Sequence, residues 1–354
     1  MRIRKRRKQR KIIIISSLTL LFIMTVGYAA FQTNINITAK GNILEKIFAT
    51  NDLKSTAVTT GDGLYKDTYE TNRYIYKGNN PNNYIKLDND LWRIISIESD
   101  NTLKVIKQDN IVGVVYDPGY ETSITGITAA NSMVGTRYSA TSTDYCYYIA
   151  STTEYYGCNV WGSKTTMLDK NGNSITKMPK KTGDSTTYNL PTKEAYMNTY
   201  LNNTYYAGLS DKVQKKITTH SFNVGPLTYK SGQTLSTDIS QEKAYTWKGK
   251  VGLANATDLV RASTDTSCTS ASAGYQSPYP CQNGNFMFNS TTWWTMSPRQ
   301  DSNSGSVWSA YSSGVVFAGS TLRNTYGMRP VVYLSSDIKL TGKGTEINPY
   351  IINS

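Results

Sequence analysis

Two kinds of hydrophobic pattern divide this chain into an N-terminal apolar segment and a long region of short alternating runs. Residues 12–31, IIIISSLTLLFIMTVGYAAF, carry no charge and are long enough to cross a membrane as one helix. From Arg73 onward the apolar runs are short and interrupted by turn residues. Alternation in residues 91–97 and 103–106, around a Ser-Asp-Asn turn, predicts a β-hairpin. We expect Trp92, inside this hairpin, to be a core residue.

The apolar segment follows a strongly basic one, which predicts export. Residues 2–11, RIRKRRKQRK, include eight Lys or Arg, and a basic flank keeps the N-terminus of such a segment in the cytoplasm. Two outcomes fit the pattern. The segment stays as a single-pass membrane anchor with an extracellular C-terminal domain, or cleavage near Ala29 and Ala30 releases a secreted chain. The expected partner of residues 12–31 is therefore the membrane.

The net charge of +13 is concentrated in residues 1–11. Without those eight cations, 30 basic and 25 acidic residues remain, a net of +5 over the rest of the chain. Only 18% of residues are charged, whereas tyrosine occurs 27 times, so hydroxyls and amides provide much of the polar surface. This distribution argues against a nucleic-acid partner.

The pattern in the remaining chain predicts a polar stalk, residues 32–72, followed by an extracellular domain, residues 73–354. Two helices are predicted within the domain, at residues 193–202 with Thr192 as cap and at 211–219 with Ser210 as cap. His220 then lies at the C-terminus of the second helix. A histidine there is expected to interact with the helix dipole rather than to act as a catalytic base. Residues 251–254 predict a short buried strand, and a helical turn follows at 257–259.

The four cysteines fall into two local pairs, Cys146–Cys158 and Cys268–Cys281, with eleven and twelve residues between partners. Three connectivities are possible, and the two local disulfides are the simplest in an exported protein. Each loop would contribute ~3 kcal/mol in the chain-entropy model. The first pair lies in a loop-rich insertion at about 109–190. The spacing fits neither a zinc site nor a Cys-x-x-Cys redox motif, and we predict no metal and no cofactor.

The C-terminal region, residues 293–334, is dense in apolar runs and turn signals. Trp293 and Trp294 open it as expected core residues, and a Gly-Met-Arg-Pro sequence precedes the apolar strand at 331–334. Because a buried arginine is normally paired, Arg329 is predicted to be a structural clamp against a carboxylate. Pro330 would mark the first residue of the strand.

Three segments together carry a resemblance to a known family: NNPNNYIKLDNDLWRII at 79–95, KVGLANATDL at 250–259, and WWTMSP through GMRPVVYL with the coda IKLTGKGTEINPYII. In this order the chain resembles an uncharacterised family of Gram-positive surface proteins and phage-encoded proteins. That family is similar to the C-type-lectin-like superfamily, which includes sulfatase-modifying enzymes and the variable receptors of diversity-generating retroelements. The resemblance implies an α+β fold, a C-type-lectin-like domain with two helices beside short, twisted antiparallel strands.

The resemblance also implies a ligand surface on the loops near the C-terminal strands. The matching positions are Arg299, Asp301, Asn303, Trp308, Tyr311, Arg323, Asn324 and Tyr326. No Glu-Pro-Asn, Gln-Pro-Asp or Trp-Asn-Asp triplet is present, so calcium-dependent sugar binding does not carry over. With one histidine and no catalytic constellation, an enzyme is not predicted.

The sequence leaves two main candidate functions and a third that has less support. The first is a surface protein that binds an unknown extracellular protein or glycan through these loops. The alternative is a structural component of the cell surface or biofilm matrix. A secreted hydrolase is the third, since counting residues does not exclude a carboxylate pair.

Overall fold

The computed structural model describes residues 48–117, 137, 139, 141–147, 158–181, 183–289, 291–300, 305–312, 316–321 and 324–353. These residues lie in one compact unit, Lys46–Ser354. The fold is α+β, mostly strands with few and short helices, which confirms the predicted class. In the part of the chain described, no helix has the length and apolar character needed to cross a membrane. The predicted membrane segment, residues 12–31, lies outside the described residues.

The largest sheet brings both ends of the described unit together. Its main path runs β1–β20–β21–β4–β5–β6–β19–β11, while β14 pairs with β19, and β2 reaches β5 through β3. Its strands are β1 Phe48–Ala49, β2 Gly63–Lys66, β3 Tyr74–Lys77, β4 Tyr84–Leu87, β5 Asp90–Ile97, β6 Leu103–Lys107, β11 Ile217–Thr218, β14 Val251–Gly252, β19 Val331–Leu334, β20 Lys339–Thr341 and β21 Tyr350–Asn353. Pairing is antiparallel except between β21 and β4.

A five-stranded sheet in the order β17–β16–β15–β18–β7 holds the C-terminal region. It consists of β7 Ile111–Val114, β15 Trp293–Pro298, β16 Ser306–Ala310, β17 Val316–Thr321 and β18 Tyr326–Met328. Strand β15 is its centre, antiparallel to β16 on one side and parallel to β18 on the other. Because β15 has neighbours on both edges and is buried on both faces, its side chains are apolar or small in a continuous run.

The remaining strands form two small sheets. One has the order β12–β13–β8, and the other pairs β10 with β9. Their strands are β8 Met167–Asp169, β9 Lys177–Met178, β10 Tyr188–Asn189, β12 His220–Asn223 and β13 Tyr245–Gly249. The helices are α1 Thr50–Lys54, α2 Tyr196–Thr199, α3 Asp211–Gln214, α4 Leu235–Glu242, α5 Ala256–Arg261 and α6 Ala271–Tyr275, with a π-helical turn at Tyr200–Tyr205 and 3-10 turns at Tyr206–Gly208 and Pro280–Gln282.

Several predictions about the fold are confirmed. The hairpin is formed by β5 and β6, and Trp92 is buried within it. Trp293 and Trp294 are fully buried in β15. Both disulfides, Cys146–Cys158 and Cys268–Cys281, are present with the predicted pairing.

The bounds predicted for the two helices are wrong, because the first helical segment begins and ends later than 193–202 and the second ends earlier than 219. In the first, α2 has no side-chain cap and passes directly into the π-helical turn, so Thr192 is not its cap. Ser210 does cap α3, accepting a hydrogen bond from Val213 N, but that helix ends at Gln214. His220 therefore begins a strand, and its ring stacks on Tyr333 with centroids 3.7 Å apart.

The domain starts earlier than predicted, because β1 and β2, which fall within the predicted stalk at 32–72, pair in the largest sheet. Residues 32–47 of the predicted stalk lie outside the described residues. Leu53 of α1 and Leu64 of β2 are buried, and Asp67 is buried in an ion-pair network. The insertion at 109–190 is also tied to the body of the fold at both ends. Strand β7 joins the five-stranded sheet and β8 joins β13.

Candidate functional site

The structure brings three of the predicted ligand residues together at one end of β15. Tyr326 lies over the buried Trp294, with ring centroids 4.6 Å apart, and Tyr311 meets Tyr326 edge-on at 6.4 Å. The side-chain amide of Asn324 donates to Tyr326 Oη at 3.0 Å. Both tyrosines are half-buried and Asn324 is exposed. We call Tyr311, Asn324 and Tyr326 the tyrosine surface.

The strand pairing explains why these residues meet although they are distant in the chain. Tyr311 directly follows β16, which is antiparallel to β15, with Trp293 opposite Ala310. Tyr326 opens β18, which lies on the other side of β15, with Trp293 opposite Gly327. The end of β16 and the start of β18 therefore flank the first residues of β15. The buried ring of Trp294 packs against the ring of Tyr326.

Arg299 belongs to a separate group at the opposite end of β15. Its guanidinium carbon lies 5.9 Å from the ring centroid of Tyr229, which in turn meets Tyr275 edge-on at 5.0 Å. Arg299 N donates to Ser306 O at 3.0 Å, which closes the start of the β15–β16 connection. The contact between Arg299 and Tyr229 could not be predicted from a local sequence pattern, because the two residues are far apart in the chain.

Asn159 holds the same connection from the inside. Its Nδ2 donates to the carbonyl of Arg299 at 3.0 Å and to that of Ser306 at 2.8 Å. A buried amide that bonds two carbonyls fixes the entry and exit of a loop relative to each other. The positions of Arg299 and Ser306, where β15 ends and β16 begins, are therefore fixed relative to each other.

Trp308 is not a ligand contact, because its side chain is fully buried in the middle of β16. Residues Val307–Ala310 are buried without alternation, as expected for a strand whose two faces are both covered. The Trp308 ring lies 6.4 Å from that of Tyr229 and supports it. The predicted contacts Asp301, Asn303 and Arg323 lie outside the described residues.

Arg329 is buried and acts as a clamp, as predicted, but its partners are carbonyls and not a carboxylate. Its Nε donates to Lys107 O at 2.8 Å and an NH group donates to Met287 O at 2.7 Å, while the guanidinium lies over the Trp293 ring. Burial lowers the pKa of Arg329 to about 9. The clamp joins β6 and the residues before β15 to the start of β19.

A buried network of ion pairs lies between β3, β5 and α5. Arg73 binds Asp67 at 2.8 Å and Glu98 at 3.0 Å, and Arg261 binds Asp67 at 3.0 Å and Glu70 at 2.7 Å. Burial alone would raise the pKa of Glu70, but the charges of Arg261 and Arg73 outweigh it and lower the pKa to about 2. Each carboxylate in this network has a cationic partner, which is the arrangement of a structural network.

Glu242, at the end of α4, is a buried carboxyl that departs from this pattern, because no cation pairs with it among the described residues. Burial raises its pKa to about 7, although hydrogen bonds from Ser297 Oγ, at 2.5 Å, and from Thr257 act in the opposite direction. Perturbed carboxyls are candidates for proton transfer. The adjacent cavity has a volume of about 30 Å³, which accommodates about one water molecule and no substrate. We therefore treat Glu242 as structural.

Comparison with known proteins adds one match. A family model described as a domain of unknown function (DUF6273) matches residues 162–336. No curated protein and no solved structure matches the chain. The matched segment extends from β8 through β19 and contains the whole tyrosine surface and the second disulfide.

Proposed function

We propose that this chain is an exported, membrane-anchored surface protein whose C-type-lectin-like domain binds an extracellular protein or carbohydrate through the tyrosine surface. The observation that carries the proposal is that Tyr326 lies on the buried Trp294 and Tyr311 meets Tyr326 edge-on, at the ends of the two strands that flank β15. Two half-buried rings with polar tips offer contact area at a small entropic cost, because the packing beneath them already restricts their rotation.

The position of the tyrosine surface supports recognition rather than a purely internal role. Its residues stand at the ends of strands on a rigid sheet, which is where binding residues concentrate in proteins. Asn324 adds an exposed amide that both donates and accepts hydrogen bonds. Rings, hydroxyls and an amide together suit the alternating apolar and hydroxylated faces of a sugar, and equally a polar protein surface.

Export is supported by two independent features of the chain. The basic segment before residues 12–31 directs the following residues outward. The two disulfides within the folded unit suit an oxidising compartment. The fold likeness is supported by the mixture of short antiparallel strands and short helices.

The test is a glycan and protein microarray probed with the full chain in detergent micelles. We expect wild type to bind a restricted set of spots, and the double variant Tyr311→Ala, Tyr326→Ala to lose at least tenfold in affinity for them. Tyr279→Ala serves as the matched control, because Tyr279 is exposed to 37% and lies in a different part of the domain. Equal binding by the double variant and wild type would overturn the proposal.

A further inference from the structure

A depression lined by both polar and apolar residues contains no residue of the tyrosine surface. It has a volume of about 700 Å³ and lies between the β2–β3 hairpin and the residues that follow α5. Ile75 and Val260 contribute apolar side chains to its lining, and Cys268, held in the second disulfide, lies at its border. A volume of this size accommodates a ligand of one to three sugar rings. We call it the hairpin cleft.

Two cationic side chains in the hairpin cleft have unused hydrogen-bonding capacity. Lys77 is half-buried, stands 5.4 Å over the Tyr65 ring, and forms no ion pair within 4.0 Å among the described residues. Arg261 is only 6% exposed, and its Nε, a buried donor, has no hydrogen-bond partner among those residues. A buried donor without a partner is unfavourable, so a site that leaves one open is suited to an acceptor from outside.

The acidic residues of the cleft already have partners. Asp67 binds both Arg73 and Arg261, at 2.8 and 3.0 Å. Asp265 accepts hydrogen bonds from the neutral donors Asn283 Nδ2 and Ser267 N, which lower the pKa of its carboxyl. Burial lowers the pKa of Lys77, while the charge of Asp67 acts in the opposite direction without forming an ion pair with it. An anionic ligand would give the Lys77 ammonium a direct partner.

Hydroxyl groups provide much of the remaining polar surface. Six threonines line the cleft and form no side-chain hydrogen bond through their hydroxyls within the described part of the chain: Thr59, Thr60, Thr68, Thr264, Thr266 and Thr269. A threonine hydroxyl both donates and accepts, which matches the hydroxyls of a polyol. The exposed Tyr69 ring at the rim adds an aromatic face for a sugar ring.

We propose that the hairpin cleft is a second binding site, for a saccharide that carries an oxyanion. The oxyanion binds Lys77 Nζ and Arg261 Nε, and the sugar hydroxyls bind the threonines. The oxyanion is the carboxylate of a uronic acid or the phosphate of a sugar phosphate, since both present acceptor oxygens to a pair of cationic donors. This site goes beyond the proposed function, because none of its residues belongs to the tyrosine surface.

The test is a ligand-observed NMR titration of the full chain in detergent micelles with glucuronate, glucose 6-phosphate, glucose and inorganic phosphate. We expect one or both charged sugars to bind at least tenfold more tightly than glucose, and whichever binds identifies the oxyanion. Lys77→Met is expected to weaken that binding tenfold or more, whereas Lys77→Arg retains it. Lys248→Met is the matched control, because Lys248 is exposed on β13 outside the cleft.

Three outcomes would overturn the proposal: no binding of either charged sugar, equal binding of glucose, or unchanged binding by a Lys77→Met variant whose urea midpoint equals that of wild type. Binding of inorganic phosphate as tight as that of both sugars would show an adventitious ion only, and would also overturn it. The Tyr311→Ala, Tyr326→Ala variant is expected to bind the charged sugars normally. Loss in that variant would place the sugar on the tyrosine surface and refute the cleft.

Discussion

The buried carboxyl of Glu242 makes the stability of this protein depend on pH in a direction that can be worked out from the structure. Its pKa is 4.5 when unfolded and about 7 when folded, because burial disfavours the charged form. A folded-state pKa above the unfolded value means that the folded state holds the proton more tightly. The stabilisation is then complete below about pH 4.5 and is lost as the pH rises through about 7.

The magnitude follows from the difference between the two pKa values. At about 1.4 kcal/mol for each pKa unit, the Glu242 carboxyl is expected to contribute a loss of about 3 kcal/mol of unfolding free energy across this window. Replacing Glu242 by Gln removes the titration and keeps the shape. The amide oxygen still accepts from Ser297, and the NH₂ group donates to the Thr257 hydroxyl. The Glu242→Gln variant should therefore match wild type near pH 5 and exceed it by about 2–3 kcal/mol at pH 8.

Urea unfolding followed by tryptophan fluorescence is the appropriate assay, because all six tryptophans are buried in the folded unit. Unfolding free energies of wild type and Glu242→Gln are compared at pH 5 and pH 8. Asp337→Asn, at an exposed position, controls for the loss of one surface charge. Parallel pH dependences in wild type and Glu242→Gln would refute the assignment of the titrating group.

Three further predictions concern single stabilising contacts, each measured as a change in unfolding free energy at pH 5. Arg329→Met should cost about 2–4 kcal/mol, because two buried backbone carbonyls lose their donor; a change below 1 kcal/mol would contradict the clamp. Removing the Cys268–Cys281 disulfide by double substitution with Ala should cost ~3 kcal/mol, given the short loop it closes, and a reducing agent should destabilise wild type more than this variant, which keeps the Cys146–Cys158 disulfide. Ser210→Ala should cost about 1 kcal/mol by uncapping α3; no change would show that the cap contributes nothing.

The parts of the fold that the sequence predicts well are those determined by neighbours in the chain. Alternation in residues 91–106 and the turn between the two runs determine the β5–β6 hairpin locally. The cysteines of each pair are only twelve or thirteen positions apart, so local pairing is the simplest disulfide arrangement. Val213 and Ile217 misled the prediction, since their spacing of four fits a helix. In the structure Val213 ends up in α3 and Ile217 in a strand that pairs with β19.

The candidate site is formed by residues that are far apart in the chain, so a local sequence pattern does not reveal which of them meet. The clamp partners of Arg329 lie 222 and 42 residues away along the chain. Trp308 was assigned to the ligand surface by its location between two polar loops. Its burial depends on distant parts of the chain, such as Tyr229, that pack against a face of the sheet, which no local feature of residues 306–310 reveals. Tyr311 and Tyr326 lie together in the structure, whereas Arg299 is separated from them by the length of β15.

The central claim, recognition through the tyrosine surface, is tested most directly by hydrogen–deuterium exchange of the full chain with and without a ligand identified on the microarray. The account predicts that the ligand slows exchange in residues 306–312 and 324–328, the two segments that flank the start of β15, and leaves the turn at 169–173 unchanged. Protection confined to other segments, with residues 306–312 and 324–328 exchanging as in the free protein, would contradict it.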